Sequence, residues 1–141
     1  MDSHQEALAI NALENIGDVF KRLNVPMILW GRTLLGIGRD QKLISESIEL
    51  ITWDYYKPQF ESQLLYDLID EFQFKEEALG RYSKGDIKIT IGFADRQYVK
   101  NPLYLELTRP VAFNDEVYFI PNFYPEVLSD IFGDWQNALK D

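Results

Sequence analysis

The residues of this chain best placed to do chemistry fall in one stretch, WGRTLLGIGRDQKLISESIELITWD, residues 30–54. A glycine turn followed by a strand bearing carboxylates is what metal-assisted nucleotidyl transfer uses. The glycine lets the backbone approach a phosphate closely. Carboxylates two residues apart on the strand project from one face and hold the divalent ions that align the attacking and leaving oxygens. Gly31, Arg32, Thr33 and Arg39 are therefore the candidate phosphate- or nucleotide-binding residues, with Lys42 completing a local basic patch, because arginine pairs well with phosphate. On the strand, Ser47, Glu49, Ile51 and Trp53 share one face, and Glu46, Ile48, Leu50, Thr52 and Asp54 share the other. Neither face carries two carboxylates two residues apart. Glu49 is the single acid on its face, and so the one candidate metal ligand and, if the chain is active, the one candidate catalytic residue. Trp30, Trp53, Tyr55 and Tyr56 flank the same turn, where they would stack on a base, line a glycan groove or pack in the core.

Periodicity supplies the elements that must position these groups. Ala9, Ala12, Leu13, Ile16, Val19, Phe20 and Leu23 recur at helical spacing behind Ser3-His4-Gln5-Glu6, which fits a capping box, so a first helix is expected over about 4–23. His4 lies at its start and is given no chemistry. Met27–Trp30 reads as a short buried strand, 33–39 as a single helical or irregular turn, and Ile48–Trp53 as the second strand. Pro58 opens a second helix, expected over about 58–73 on the stripe Phe60, Leu64, Leu65, Leu68, Ile69 and Phe72. From residue 78 the period becomes two: a hairpin around Ser83-Lys84-Gly85, a strand on Leu103, Leu105 and Leu107, and another over Val117–Ile120. Pro125 to Phe132 closes as a short helix, with Phe132 and Trp135 as core anchors. Asp86 and Asp95 flank the hairpin strand and read as turn residues. The expectation is one α/β (α+β) domain over residues 1–141, a mixed sheet flanked by helices.

The totals narrow the function. Lys and Arg number 14 against 23 Asp and Glu, a net charge of −9, which disfavours DNA or RNA as the main partner because that affinity rests on neutralising phosphates. There are no cysteines, so disulfides, thiolate metal sites and a cysteine nucleophile are excluded. The acidic N-terminal stretch does not read as a signal peptide and no run reaches membrane-span length, giving the expectation of a cytoplasmic protein.

Gly31, Thr33, Leu34, Leu35, Gly36 and Arg39 resemble the Gly-x-Thr-Leu-Leu-Gly-x-x-Arg opening of the LicD/fukutin family of nucleotidyltransferase-fold proteins. The far end is similar to that family's closing pattern: a strand ending in Pro121, a short helix with Leu128, then Phe132-Gly133-Asp134-Trp135. The resemblance spans about residues 25–135. It implies a nucleotidyltransferase-like mixed sheet, Mg or Mn in an active member, and transfer of phosphocholine or a similar phospho-alcohol from a cytidine nucleotide donor to a glycan. The family's Asp-x-Asp falls on Ser47 and Glu49 when the hydrophobic phasing is kept, and on Glu49 and Ile51 in an ungapped count. Its third aspartate falls on Thr90 within KITIGF. Two of the three metal ligands are thus replaced.

Three readings follow. The first is a degenerate family member, a non-catalytic module binding a nucleotide, a phosphorylated small molecule or a protein partner. The alternative is an active metal-dependent transferase built around Glu49. A third is a protein of toxin–antitoxin or phage type whose acidic surface blocks a basic partner.

Overall fold

Asp2, not Ser3, starts the first helix. In the computed structural model, which describes residues 1–95 and 101–140, helix α1 runs Ser3–Leu23. The Asp2 carboxylate accepts from Gln5 N–H while the Gln5 side chain accepts from Asp2 N–H. Two overlapping capping boxes compete in this sequence, and the one with a charged acceptor at the positive end of the helix wins. Lys21 and Arg22 occupy the last turn, and Asn24 closes it in the left-handed conformation.

Among the described residues seven strands form one mixed sheet: β1 (Ile28–Leu29), β2 (Ser47–Trp53), β3 (Lys75–Ala78), β4 (Arg81–Lys84), β5 (Ile87–Ala94), β6 (Thr108–Phe113) and β7 (Glu116–Pro121), in the order β3-β4-β5-β2-β1-β7-β6. Strand β2 lies at the centre, parallel to β5 over its whole length and antiparallel to the two-residue β1. Strand β1 in turn touches β7, in parallel, through the single pair Ile28–Phe119. The fold is therefore a mixed α+β domain, as the alternation of patterns implies.

The main core lies on one face of the sheet, beneath α1 and helix α3 (Gln63–Glu71). Ile48 and Leu50 point into it beside Ile89, Ile91, Phe20 and Phe60. A smaller cluster on the opposite face joins Ile28, Ile51, Ala94 and Leu105. Helix α2 (Gly31–Leu35) continues without a break into one wider turn, Gly36–Asp40, and helix α5 (Tyr124–Phe132) packs against it. No helix of the described residues is long and apolar enough to cross a membrane.

Three further sequence expectations are corrected. The segment expected as one helix over 58–73 is a tight three-residue-per-turn run, Asp54–Glu61, and then α3. Ser62 separates them, donating to Gln59 O at 2.6 Å and capping α3 at Leu65 N. The hairpin turn lies at Gly85-Asp86, since Lys84 pairs with Ile87. Leu103–Leu107 is not a strand. Asn101 Oδ1 accepts from Leu103 N–H at 3.0 Å and starts a short helix, α4 (Leu103–Glu106), that buries Leu105 alone; three leucines two apart imitate a strand whichever of them is buried. The strand comes next, as β6, where Pro110 is accommodated because β6 is a sheet edge. Strand β3 escaped notice because all four of its residues are exposed, which leaves no alternation to read.

Phe60 is fully buried and meets the rings of Phe20 and Phe93 edge-on at 5.2 Å each. Phe60→Ala is expected to lower unfolding stability by about 3–5 kcal/mol, read by urea denaturation. Burial also pushes the Tyr82 phenol up to about 12. A raised phenol holds its proton in the folded state, so its contribution is complete below the ordinary tyrosine value near ~10 and is lost as pH rises toward the folded value. The urea midpoint should fall as pH is raised through that window, and fall less in Tyr82→Phe.

Candidate functional site

Glu49 is tied to the glycine turn by all of its polar groups. Its backbone C=O accepts from Trp30 N–H at 3.1 Å, and its N–H donates to Thr33 Oγ1 at 2.9 Å. Its carboxylate Oε2 accepts a short hydrogen bond from Arg32 N–H in the first turn of α2. Gly31, buried and at φ +53, makes this approach possible: a Cβ there would overlap the Glu49 carboxylate. The backbone donor that the turn would offer to an incoming phosphate is thus held by the protein's own anion, in the position where helix N-termini attract negative charge.

The sheet register decides which residues share this row. Ser47 stands opposite Lys88, and Glu49 opposite Thr90, on the adjacent parallel strand β5. Ser47, Glu49 and Thr90 therefore lie together on one face, while Ile51 is buried in the small cluster beneath α4. One carboxylate and two hydroxyls do not suit a pair of divalent ions, which need several hard anionic ligands. The neighbouring strand adds charge of the wrong sign: Arg81 on β4 is the partner of Thr90, and Lys88 is the partner of both Ser47 and Ser83. Lys88 Nζ also pairs with Glu77 at 3.0 Å and holds the Glu77 carboxyl below the usual range. No group of three His, Cys, Asp or Glu able to hold a metal ion occurs among the described residues. Arg81 and Lys88 were not anticipated as neighbours of Glu49, because strand register is invisible in their own segments. Asp86 sits in the β4–β5 turn and Asp95 beyond the end of β5, so neither joins the row.

The other candidates separate. Arg32 contributes its backbone N–H to Glu49, and its side chain is exposed. Thr33 is buried, with its hydroxyl on Glu49 N–H. Arg39, its side chain 9% exposed, points away from the row toward the end of the chain. It grips Asp40 through Nε and Nη2 at 2.9 and 2.7 Å, and Nη1 donates to Trp135 O and Ala138 O at 2.7 and 2.6 Å. Four of its five donors are engaged, and this arginine works as a latch. The hydrogen bond from Arg39 is the main cause holding the Asp40 carboxyl below its ordinary value. That contribution is complete above the ordinary carboxylate pKa and is lost as pH falls through the folded one. Lys42 is exposed beside the latch, away from the Glu49 row. Trp30 and Trp53 pack on the small cluster, Tyr55 stacks on Trp53 at 6.3 Å, and Tyr56 packs against the main core. Trp135 meets Tyr124 edge-on at 6.4 Å and rests on the main core with Phe132.

In comparison with known proteins, the chain matches no family model and no curated protein.

Two outcomes test this geometry. Gly31→Ala should cost about 2 kcal/mol or more, combining left-handed strain with loss of the Glu49 contact, and clearly less in a Glu49→Ala background. Equal costs in both backgrounds, read by urea denaturation, would contradict the contact. Arg39→Lys keeps the charge but loses the planar fork. Limited proteolysis should then cut within residues 133–140 at least several-fold faster, with the core left intact.

Proposed function

We propose that this chain is a non-catalytic binding module on a nucleotidyltransferase-like fold, related in design to the LicD/fukutin proteins that its glycine turn and closing segment resemble. The observation that carries this reading is the Glu49 carboxylate on Arg32 N–H. A catalytic turn would present that donor to substrate phosphate and keep the strand acid free for a metal ion. Here each satisfies the other. The replacement of the remaining family acids by Ser47 and Thr90, with Arg81 beside Thr90, adds to it, since that charge repels a divalent ion.

The backbone features of an active site then serve folding. Gly31 allows the strand and helix to meet, Thr33 ties β2 to α2, and Arg39 fixes the terminal segment. A module of this kind acts by holding a small molecule or a protein.

Calorimetric titration with Mn²⁺, with and without cytidine triphosphate, is the test. No binding heat beyond that of Mn²⁺ with cytidine triphosphate alone is expected in either arm, and none should appear or vanish in Glu49→Gln. Mn²⁺ binding that disappears in Glu49→Gln, together with turnover of a cytidine diphosphate-alcohol, would overturn the proposal in favour of the active transferase.

A further inference from the structure

At the end of β1 away from the glycine turn, the sheet opens into a fork. Ile28 pairs with Ile51 of β2 on one side and with Phe119 of β7 on the other. Two residues further along, the corresponding row runs from Trp53 through position 26 to Val117. That middle position falls on Pro26, which lies outside β1 and is exposed, while Val25 turns into the core. Strands that flank a common neighbour stand about 10 Å apart, twice the spacing of adjacent strands. Beyond Ile28 a gap one strand wide therefore separates β2 from β7, and among the described residues no strand fills it.

The main chain on both sides faces into this gap. Alternate residues of a strand turn their N–H and C=O groups to the same neighbour. On β2, Glu46 C=O accepts from Lys88 N–H and Glu49 C=O accepts from Trp30 N–H. Even-numbered residues there serve β5, and odd-numbered ones, Trp53 included, face the line of β1. On β7, Asn122 N–H donates to Leu107 C=O in continuation of the β6–β7 ladder. Even-numbered residues there serve β6, so Val117 and Phe119 face β1. Phe119 meets β1 at Ile28, whereas Val117 lies beyond the end of that strand. Among the described residues, neither Trp53 N–H nor the N–H and C=O of Val117 is bonded across the fork.

The gap belongs to a cavity of about 690 Å³ that Trp53 and Val117 both line, together with Pro26 and Phe119. That volume falls within the range of ligand sites, roughly 300–1,000 Å³. Val117 and Phe119 remain 55% and 46% exposed, so apolar side chains are left uncovered beside the free main-chain groups. The charges at the rim are engaged with one another, Lys21 with Glu116, Asp18 with Arg22, and Glu14 with Asn114. An occupant of the gap needs no charge of its own.

We infer that the fork takes up a short, extended, apolar peptide segment of a partner protein, which continues the line of β1 between β2 and β7. Its C=O groups accept from Trp53 N–H and Val117 N–H, and one of its N–H groups donates to Val117 C=O. In strand addition such main-chain bonds give affinity and alternate side chains give specificity. One side chain of the segment lies on the outer face beside Trp53 and Val117, and its neighbours turn toward α1, where Gly17 lines the cavity. Consecutive apolar residues suit that position, as in any strand covered on both faces. The outer edge of the sheet at β6 is closed to the same partner, because Pro110, opposite Phe119, turns its N atom to the open side and offers no donor there. The fork is separate from the glycine turn, and the inference stands whether or not that turn is catalytic.

The probe is the capped peptide acetyl-Thr-Val-Ile-Val-Thr-amide, titrated into the full chain and followed by ¹H–¹⁵N spectra. Its control is the same peptide N-methylated at the three central residues. The largest shifts should fall at the Trp53 and Val117 amides, and the methylated peptide should bind roughly tenfold more weakly, the worth of one or two hydrogen bonds. Val117→Pro removes a donor that faces the fork and leaves the β6–β7 ladder whole. Its spectrum should report retained folding while affinity for the probe falls several-fold, and Phe119→Ala should weaken the probe likewise. No binding up to about 10 mM, equal affinity for the two peptides, full affinity in folded Val117→Pro, or shifts centred elsewhere would overturn the inference. Shifts at the same amides that grow with protein concentration in the absence of peptide would give the fork to a second copy of this chain, and would overturn it equally.

Discussion

Glu49 and the turn Trp30–Thr33 form one unit, and the arrangement of the remaining elements depends on it. Strand β1 is only two residues long, too short to fix its own register against β2 by ladder bonds. The three bonds from Glu49 to the turn extend that pairing past the end of β1 and set where α2 begins. Because α2 packs on α5, and β2 pairs with β5 along its length, both the terminal helix and the centre of the sheet take their positions from this contact. A carboxylate at the start of a helix is an energetically ordinary partner. Its effect here is large because it comes from the central strand.

The same logic extends to Arg39. An arginine just past a glycine-rich turn invites a phosphate reading, yet its guanidinium finds fixed acceptors within the chain: the Asp40 carboxylate and the carbonyls of Trp135 and Ala138. The aromatic-Gly-Asp-Trp segment and the glycine-rich stretch, far apart in sequence, meet through that fork, while Tyr124 holds Trp135 within the closing segment. Two motifs that resemble parts of a transferase are in this way parts of one structural clamp. The resemblance is compatible with the lack of a metal-ligand cluster among the described residues, because residues that shape a turn are useful to folding whether or not chemistry follows.

Much of the architecture was legible. The helix α1 stripe, β2, β7 and α5 follow directly from spacing, since each buries one face against the core. Thr90, which the resemblance puts at the position of the third acid, stands opposite Glu49 in the sheet register. What failed did so for local reasons. Leu103, Leu105 and Leu107 alternate as a strand would, but Asn101 and Pro102 nucleate a turn, and Leu105 is the one that meets Ile28 and Ile51. The break at Ser62 depends on a side chain choosing to cap. The candidate site was legible as a set of positions and illegible as a set of contacts. Nothing in the sequence shows that Arg32 N–H points at Glu49, that Arg39 turns to the chain end, or that β4 sets Arg81 beside Thr90.

Opposite properties lie at the two ends of the short strand β1: a closed, self-satisfied turn at one, and an open fork at the other. The central claim concerns the closed end, and the Arg32 amide reports on it directly. Its ¹H–¹⁵N resonance should stay fixed when inorganic phosphate or cytidine diphosphate is added to the wild-type chain, because Glu49 already holds that donor. In Glu49→Ala the amide should move to a new position, and only then respond to phosphate. A wild-type Arg32 amide that shifts with nucleotide, or one that Glu49→Ala leaves in place, would contradict the account.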